Sequence, residues 1–385
     1  MEPYTYNNTH ESIHPPQHCK KELCDLDYSQ DPPRILSNYL VHAPRPFNAE
    51  PHLPLLINSG SITPEDVFFK RNHGPIPNIQ LEDHTVYIGI QRGLHDNQGQ
   101  PAPVEWKALD MNDIMTKWPK VTITASLQAV WSGPRLCDIL HSVVGVPQEL
   151  HHEMIRNFHV AFEADDHVKE DACYGSSIPL RKAMDPLGDV ILAYEMNGKP
   201  LTRDHGYPLR VIVPGYIGAR SVKFLQKMIV QPQESSSFFQ VDSTNVDSAW
   251  DSSPSLGEMN VQCVICTPMD KEVILSSQPV TVKGYAIAGG GRAIYRVELS
   301  IDGGKTWEPV DKIEQTPDRV SGMYWAWALW EKEVSKLHTT SQLVVRAYDS
   351  SGNMQPEFPI WNYRGVMNNA WFRVSNVIQM PQHNM

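Results

Sequence analysis

The spacing of apolar residues changes near residue 258, and this change predicts two domains of different class. From about residue 43 to 235, short strand-like runs such as TVYIGI, VTITASL and VILAYEM are mixed with helical spacing after Pro134. This mixture predicts a compact α+β domain. Residues 236–258 are dominated by Ser, Asp, Asn and Gln, which is typical of a linker.

The pattern after the linker, in residues 259–380, predicts an all-β domain. PVTVKGYAIAGGG, YRVELSIDGGKTWEPV, YWAWALWEKEV and QLVVRAYDSSGN alternate apolar and polar residues with period two, and DGG and DSSGN are turn signals. An antiparallel β-sandwich fits this pattern. Residues 1–42 are polar, rich in Pro, His and Asp, and without periodicity, so a disordered N-terminal arm is expected there.

The stretch TITASLQAVWSGPRLCDIL contains an abrupt junction. Residues 121–127 alternate like a strand, and a helical pattern starts soon after them, at Leu136. Ser132 is available as a helix N-cap and Pro134 suits the first turn. The strand is therefore expected to lead almost directly into the helix.

Charge and composition exclude several classes of function. The 385-residue chain carries a formal net charge of -11, and its pI is about 5.8. An acidic chain lacks the broad basic field that nucleic acid or an anionic membrane requires. No apolar run approaches bilayer-spanning length, and the first residues resemble neither a signal nor a transit peptide. Six cysteines are too few for a disulfide scaffold, which favours a reducing compartment. A soluble intracellular protein is expected.

Two basic clusters are candidates for an anion site. They are FFKRNHGPIP at 68–77 and RDHGYPLRVIVPGYIGARSVKF at 203–224. Glycines among the cations of the second cluster let the backbone approach a ligand, and guanidinium groups bind phosphate in a bidentate way. The alternative interpretation of the second cluster is a solvated turn whose surface charges are paired with nearby acidic residues. The apolar run around Arg210 and Arg220 instead predicts near-burial of both, which an anionic ligand would compensate.

Long motifs of this chain resemble the sulfite oxidase family, in particular its haem-free plant and fungal members. They are PFNAEP, VFFKRNHGPIP, LAYEMNGKPLTRDHGYPLRVIVPGYIGARSVK, GYAIAGGGRAIYRVELSIDGGKTW and WNYRGVMNNAW, within residues 31–377. The resemblance implies a sulfite oxidase type molybdopterin-binding domain followed by an immunoglobulin-like dimerisation domain. It also implies a molybdenum–molybdopterin cofactor (Moco), oxidation of sulfite to sulfate, and a homodimer.

The resemblance also assigns site residues. Those that would bind the cofactor are Phe69, Lys70, Arg71, Asn72, His73, Asp166, His205, Arg210, Ser221, Val222 and Lys223. Asp166 is preferred to the neighbouring Asp165 by alignment alone. Arg71 and Arg364 would form the catalytic anion pocket, and a salt bridge between domains is the alternative role for Arg364. Arg and Lys suit the phosphate of the pterin, and Asp, His and Asn suit its ring edges.

A family segment is missing from the junction described above. In the family, the strand ending LQ continues into CAGNRR, whose cysteine ligates molybdenum and whose second arginine faces the substrate. This chain passes from Gln128 to AVWSGPRLCDIL, and SSSFFQVDSTNVDSAW lacks the family's DYK tyrosine. No protein ligand to the metal is therefore predicted. A natural inactive paralogue and an incomplete gene model both explain these losses, and the gene model is preferred because the surrounding motifs are intact.

The cysteines offer no clear replacement for the missing ligand. Cys137 falls at an apolar helix position, which predicts a buried helix residue. Cys263 and Cys266 form C-x-x-C on a predicted strand, where residues three apart face opposite sides, so zinc is not expected. Cys19 and Cys24 lie in the predicted arm.

The leading hypothesis is a sulfite oxidase type molybdenum oxidoreductase whose activity is reduced by the missing segments. The alternatives are a molybdopterin-binding module without turnover and a nitrate reductase fragment. No HPGG haem motif is present, so no haem domain is predicted. Expected partners are sulfite, a second copy of the chain, and an electron acceptor such as oxygen or a cytochrome. The cytoplasm is the expected compartment, with mitochondrion and peroxisome as family alternatives. The tryptophans of the second domain suggest a dimer face, unless they simply fill the sandwich.

Overall fold

The fold is taken from a computed structural model of the chain. The residues it describes are 15–16, 26–93, 100, 102–126, 128–150, 156–240, 255–275, 278–335, 337, 342–361, 366–375 and 377–379. Within this part of the chain the α-helices are α1 (Leu53–Asn58), α2 (Met111–Thr116), α3 (Leu136–Val144) and α4 (Leu180–Met184). None of the helices there is long and apolar enough to cross a bilayer.

Fourteen of the described strands belong to the first domain. They are β1 (Tyr39–Pro44), β2 (Phe47–Pro51), β3 (Lys70–Arg71), β4 (Thr85–Gln91), β5 (Val104–Asp110), β6 (Val121–Ala125), β7 (Ala129–Gly133), β8 (His159–Ala164), β9 (Gly175–Pro179), β10 (Ile191–Ala193), β11 (Glu195–Met196), β12 (Lys199–Pro200), β13 (Arg210–Ile212) and β14 (Leu225–Gln231).

The core of the first domain lies on one five-stranded sheet of order β5-β4-β14-β8-β9. β14 pairs in parallel with β4, and the other strands of this sheet pair antiparallel. Apolar residues of β4 and β14, such as Ile88 and Met228, are fully buried in one cluster with Ile139 and Leu140 of α3. Smaller sheets of order β12-β11-β7-β6, β1-β2-β3 and β10-β13 complete this domain. The α+β prediction is confirmed.

Helix α3 confirms the helical spacing but begins differently from the prediction. Arg135 occupies the N-cap position, and no side chain caps the helix there. Ser132 lies instead in β7, where its hydroxyl is 3.0 Å from the hydroxyl of Thr122 across the β6–β7 pair. The helix ends at Gly145, whose φ of 70° is the left-handed conformation that glycine adopts without strain. The predicted Ser132 cap is therefore wrong.

The second domain is a sandwich of two four-stranded sheets. Its strands are β15 (Gln262–Thr267), β16 (Val273–Leu275), β17 (Val280–Ile287), β18 (Ile294–Ser300), β19 (Glu308–Pro309), β20 (Lys312–Glu314), β21 (Ala328–Val334), β22 (Gln342–Asp349), β23 (Phe372–Ser375) and β24 (Val377–Gln379). The sheets have the order β15-β17-β21-β20 and β19-β18-β22-β23. Val282, Val297 and Val345 meet between them in one core cluster. The predicted sandwich is confirmed.

Tryptophans of the second domain join it to the first. Trp325 packs in a cluster with Phe68 and Trp131 of the first domain. Its indole Nε1 donates a hydrogen bond of 2.8 Å to Asp189. Trp327 is fully buried in a second cluster with apolar residues that lie on α1 and before β3. These two tryptophans therefore fill the contact between domains and provide no dimer face.

Both predicted domain boundaries differ from the structure. Residues 26–42 are packed on the first domain: Tyr39 is buried in β1, and the guanidinium of Arg34 pairs with Asp204 at 2.8 Å. The prediction of a disordered arm is therefore wrong for these residues. Contacts with distant residues hold this segment in place, and such contacts leave no periodic pattern in the local sequence. Residues 1–14 and 17–25 of that arm, with Cys19 and Cys24, lie outside the described part of the chain. At the other boundary, Phe239 and Gln240 also pack on the first domain.

Candidate functional site

The two basic clusters of the sequence meet around one cavity of about 330 Å³ in the first domain. One wall comes from residues 68–74, which contain β3. The other comes from residues 204–223, which contain β13 and two 3₁₀ turns, Arg203–His205 and Gly218–Arg220. Strand pairing of β3 with β2 fixes the first wall, and pairing of β13 with β10 fixes the second. Clusters 130 residues apart in sequence thus form one site.

Most of the residues assigned by resemblance line this cavity. The nine that do are Phe69, Arg71, Asn72, His73, Asp166, His205, Arg210, Ser221 and Lys223. Asp165, the alternative considered for the acidic position, is not among the lining residues. The geometry therefore brings together the set that the motifs predicted, apart from Lys70, Val222 and Arg364.

Lys70 and Val222 lie outside the cavity wall. Consecutive residues of a strand point to opposite faces, so when Arg71 lines the cavity, Lys70 points away. The Lys70 ammonium contacts the Tyr39 hydroxyl and lies 4.4 Å from the centre of its ring. Burial lowers the pKa of Lys70. Val222 is fully buried in the main core. Arg364 lies outside the described residues.

Arg210 is the most constrained cation of the site. Its Nη1 donates to the carbonyl oxygen of His205 at 2.9 Å and its Nη2 to that of Ser221 at 3.1 Å. Its Nε is buried and has no hydrogen-bond partner. The structure shows no carboxylate paired with Arg210 among the described residues, and burial lowers its pKa to about 9. Leaving such a donor unsatisfied costs about 1–3 kcal/mol, so the position favours an anionic ligand.

His205 and Lys223 add two further donors to the same wall. The Nδ1 of His205 is 2.7 Å from the hydroxyl of Thr202, and its buried Nε2 has no partner. Burial, followed by the nearby cations, lowers the pKa of His205 well below its ordinary value. Lys223 donates to the carbonyl oxygen of Asp204 at 2.9 Å and contacts the side-chain oxygen of Asn72. Burial, assisted by Arg210, lowers the pKa of Lys223 to about 7.

Aromatic side chains form the apolar part of the cavity, and most of them were missed by the motif assignment. Phe68 stacks on Phe69 and meets Trp131 edge to face, with ring centres 5.8 Å apart. Trp131 lies under the Arg210 guanidinium at 4.9 Å. Flat apolar walls beside cationic donors suit a planar, polar ring system. Trp131 belongs to β7, and no local signal places this strand beside residues 68–69.

A second aromatic group encloses His73. The imidazole stacks on Tyr174 with ring centres 4.4 Å apart and meets Phe239 at 4.6 Å. Burial, followed by Arg71 and Lys223, lowers the pKa of His73 to about 3, so it is neutral at physiological pH. The predicted linker thus contributes Phe239 to the site. The repeated aromatics of SSSFF are the sequence signal for it.

Two carboxylates border the cationic wall. One oxygen of Asp166 accepts the backbone N–H of Tyr174 at 2.8 Å. Asp204 also lines the cavity, and its carboxylate is paired with Arg34. Acidic acceptors opposite cationic donors let one site bind both a phosphate and the donor edge of a heterocycle.

The remaining arginines of the basic clusters have different environments. Arg71 lines the cavity and is exposed. Arg220 is buried outside the cavity lining, where it donates at 2.8 Å to both the carbonyl oxygen of Leu256 and the hydroxyl of Ser176. The expectation that a ligand anion compensates Arg220 is therefore wrong, because protein oxygens satisfy it.

The family segment with the metal-ligating cysteine would lie at a tight turn of this chain. β6 and β7 form a hairpin that closes with the pair Ala125 and Ala129, and next to this pair Ser126 and Gln128 have φ of 60° and 54°. The second domain holds this turn: the Ser126 N–H donates to the carbonyl oxygen of Trp325 at 3.2 Å, and the Gln128 amide donates to that of Trp327 at 3.2 Å. Ser126 lines the cavity. The expected direct passage from strand to helix is wrong, since β7 lies between.

None of the described cysteines reaches the cavity. Cys137, Cys173, Cys263 and Cys266 are free and buried, and none lines it. Cys137 packs in the main core on α3, and burial raises its thiol pKa to about 11, which opposes the thiolate that binds metal. Cys263 belongs to the sandwich core and Cys266 does not. Within the described residues, no group of three His, Cys, Asp or Glu side chains is arranged to hold a metal ion.

The fold and the cavity define a two-domain protein in which an α+β domain carries a cationic, aromatic ligand site and a β-sandwich follows. Residues 73–239 match the family model described as oxidoreductase molybdopterin binding domain, and residues 253–379 match the Mo-co oxidoreductase dimerisation domain. Sulfite oxidase from Arabidopsis thaliana is 39% identical over 393 residues, which cover 90% of this chain and 96% of that protein. The chain belongs to the sulfite oxidase family.

Other relatives agree with this assignment. Mitochondrial sulfite oxidase from Homo sapiens is 40% identical over 390 residues, which cover 90% of this chain and 67% of that protein. NADH nitrate reductase from Spinacia oleracea is 35% identical over 377 residues and is covered to only 40% of its length. The solved structure of sulfane dehydrogenase SoxCD from Paracoccus pantotrophus shares the fold with a TM-score of 0.63 at 22% identity, covering 85% of this chain and 81% of that one.

Proposed function

We propose that the chain is a sulfite oxidase type molybdenum oxidoreductase that binds its molybdopterin cofactor in the cavity of the first domain. The single observation that carries the proposal is the pair of buried nitrogens without partners, Nε2 of His205 and the donor Nε of Arg210, which belong to one cavity wall. Buried polar atoms of this kind are satisfied in almost all native proteins. A phosphorylated ligand would satisfy both.

The residues around the cavity fit the organic part of this cofactor. Arg210, His205 and Lys223 would hold the phosphate, since they offer charged or polar donors on one wall. Asp166, Asn72 and His73 would meet the pterin edges, and the flat rings of Phe69 and Trp131 would flank the ligand. The neutral state of His73 and His205 leaves each with one donor and one acceptor nitrogen for this task.

The metal part of the cofactor fits less well. The two-electron oxidation of sulfite to sulfate is the chemistry that the molybdenum cofactor supplies when it is bound. Molybdenum in a pterin dithiolate is suited to a soft thiolate ligand, and none of the described cysteines lines the cavity. Arg71 is proposed to attract the sulfite dianion at the cavity mouth. Arg364, outside the described residues, is proposed to join it.

The test of the cofactor site is the Arg210→Met variant. Pterin content per protein after purification should fall by at least about ten-fold, because the variant removes a charged donor whose hydrogen bond to an anion is worth roughly 1.5–3 kcal/mol. Arg220→Met is the matched control, since Arg220 is also buried but lies outside the cavity lining and donates to protein oxygens there. Equal pterin content in Arg210→Met and the parent would refute the assignment.

A second candidate function is a molybdopterin-binding module without turnover. The cavity without a thiol favours it. Molybdenum analysis combined with sulfite-dependent reduction separates the two functions, because only the oxidoreductase takes electrons from sulfite. For the oxidoreductase we propose oxygen or a cytochrome as the electron acceptor. The cytoplasm stays the predicted compartment, with mitochondrion and peroxisome as alternatives.

A further inference from the structure

A segment that precedes the matched molybdopterin-binding model contacts the cavity wall from outside. Arg34 lies on this segment, and its side chain is only 8% exposed. The guanidinium forms a fork on Asp204, with Nε at 3.1 and 3.0 Å from the two carboxylate oxygens and Nη2 at 2.8 Å from one of them. Nη2 also donates to Asp31 at 3.2 Å, and the guanidinium lies 4.1 Å from the ring centre of Phe47. The fork is therefore rigidly held.

Asp204 connects this fork to the donors of the cavity. Asp204 is one of the lining residues, and its carbonyl oxygen accepts the ammonium of Lys223 at 2.9 Å. His205 follows it directly in the 3₁₀ turn Arg203–His205. Arg203 anchors the same turn on the opposite side by donating to the carbonyl oxygen of Ile76 at 2.8 Å. The position and charge of Asp204 thus affect two proposed phosphate donors.

We propose that Arg34 is a positioning residue of the cofactor site, which neutralises Asp204 so that the cavity accepts the phosphate of a pterin. This inference rests on the proposed cofactor site. Asp204 is buried at the cavity wall. Without Arg34, its carboxylate would face a bound phosphate as an unpaired negative charge, and buried like charges repel strongly. With Arg34, the same carboxylate fixes the turn that carries His205.

The experiment compares four forms of the full chain purified from a host that makes molybdopterin: the parent, Arg34→Met, Asp204→Asn and the double variant. Pterin content per protein is measured by fluorescence, and folding by thermal unfolding. Arg34→Met should lose pterin by about ten-fold or more, because the unpaired charge opposes the phosphate. The double variant should recover pterin relative to Arg34→Met and match Asp204→Asn within about three-fold, because the repulsive charge is gone from both forms.

The control pair is Arg135 and Asp189, a second ion pair of 3.0 Å between a half-buried arginine and a fully buried aspartate, and neither member lines the cavity. Arg135→Met should lower the unfolding temperature but leave the pterin content unchanged. Arg34→Lys, which keeps the charge without the fork, should retain more pterin than Arg34→Met. This second variant keeps the test informative if Arg34→Met does not fold.

The outcomes separate the inference from the proposed function. A parent protein without pterin would refute the proposed cofactor site. A parent with pterin and an Arg34→Met variant with equal content would overturn only the role of Arg34. Pterin loss that persists in the double variant would also overturn it, since Arg34 would then act by holding the structure and not by neutralising a charge. Recovery in the double variant supports the proposal.

Discussion

At the scale of single residues, the basic groups of the cavity have lost the solvent that stabilises their charge. Burial lowers the pKa of Arg210 to about 9 and that of Lys223 to about 7, and it keeps His73 and His205 neutral. A protein keeps such groups together at a cost in stability. A bound anion offsets this cost, so ligand binding and proton uptake at Lys223 are expected to be coupled.

The first prediction follows from the Lys223 pKa of about 7. Sulfate is a suitable probe because its charge does not change between pH 6 and 9. Its affinity should fall as the pH rises above 7, by up to about ten-fold per unit, because the neutral amine no longer attracts it. Calorimetric titration at pH 6.5 and 8.5 measures this. Lys223→Met should show weak, nearly constant affinity, and a parent with equal affinity at both values would contradict the prediction.

The same pKa fixes the sign of a stability effect. The pKa of Lys223 lies below the ordinary value of 10.5, so between pH 7 and 10.5 the unfolded chain binds more protons than the folded one. The contribution of this residue to the free energy of unfolding therefore rises with pH over that window. Below pH 7, Lys223 is charged in both states and contributes its full penalty.

At the scale of elements, the sequence predicts the helices and strands that depend on local apolar spacing. It does not predict those whose conformation is determined by contacts with distant residues. Helix α3 and strands β4, β17, β18 and β22 follow directly from apolar periodicity. The hairpin between β6 and β7 does not, because its turn contains no Gly, Asn or Pro signal. Two non-glycine residues adopt positive φ there, held by carbonyl groups of the second domain about 200 residues away. Tertiary contacts thus override the turn preference.

The cavity residues, too, could be predicted from the sequence only in part. The cationic residues of the cavity lie in long motifs and are recognisable from sequence. The aromatic residue Trp131 and the ion-pair partner Arg34 are not recognisable in this way. Trp131 reaches the site through the unexpected strand β7. Arg34 lies in a stretch without periodicity, and its role depends on Asp204, 170 residues further along the chain. Electrostatic partners of this kind leave no local pattern.

The second prediction concerns Trp325 and Trp327, which precede β21 and contact the first domain. Trp325→Phe removes the indole donor to Asp189, whereas Trp327→Phe removes a buried indole N–H that has no partner. Both changes remove similar volume. The free energy of unfolding should therefore fall by about 1–3 kcal/mol more for Trp325→Phe, the value of a hydrogen bond to a charged group. Urea unfolding measures it, and an equal loss in both variants would show that the bond contributes nothing.

At the scale of the whole molecule, the arrangement of apolar surface bears on assembly. Trp325, Trp327 and Trp330 are buried inside the chain, so the tryptophan content alone gives no argument for a dimer. The argument for a dimer comes from the match of residues 253–379 to the Mo-co oxidoreductase dimerisation domain. Ile360 and Trp361 of that domain are adjacent in sequence and 76% and 71% exposed, so they are candidates for such an interface.

The third prediction is that the chain forms a homodimer through its second domain. Sedimentation velocity at micromolar concentration should give one species of twice the mass of 43.6 kDa. Trp361→Ala and Ile360→Ser together should shift the distribution toward the monomer if this surface contributes, because truncating an interface aromatic costs about 2 kcal/mol or more. Tyr295→Ala, exposed on the same domain, is the control. A parent that sediments strictly as a monomer would contradict the prediction.

The last prediction joins the intact cofactor wall to the missing metal ligand. The chain should bind pterin weakly and oxidise sulfite poorly or not at all, because comparison with the family's motifs implies that a thiolate ligand, one substrate arginine and a pocket tyrosine are missing together. Each contributes a different effect, namely metal electronics, anion binding and positioning, so the losses compound. Pterin content, molybdenum content and sulfite-dependent reduction measured on one preparation test this.

Cys137 is the candidate for any residual metal binding because it is the cysteine nearest in sequence to the lost segment. Its burial in α3 and its raised pKa of about 11 predict that it plays no such part. Cys137→Ala should therefore leave the molybdenum and pterin contents equal to those of the parent, and it should lower only the stability, by about 1 kcal/mol. Cys173→Ala, at another buried thiol outside the cavity lining, is the control. Suppose that the parent turns over sulfite at enzymatic rates and that Cys137→Ala abolishes this turnover while Cys173→Ala does not. The short hairpin at Ser126 would then carry no functional cost, because Cys137 of helix α3 supplies the metal ligand.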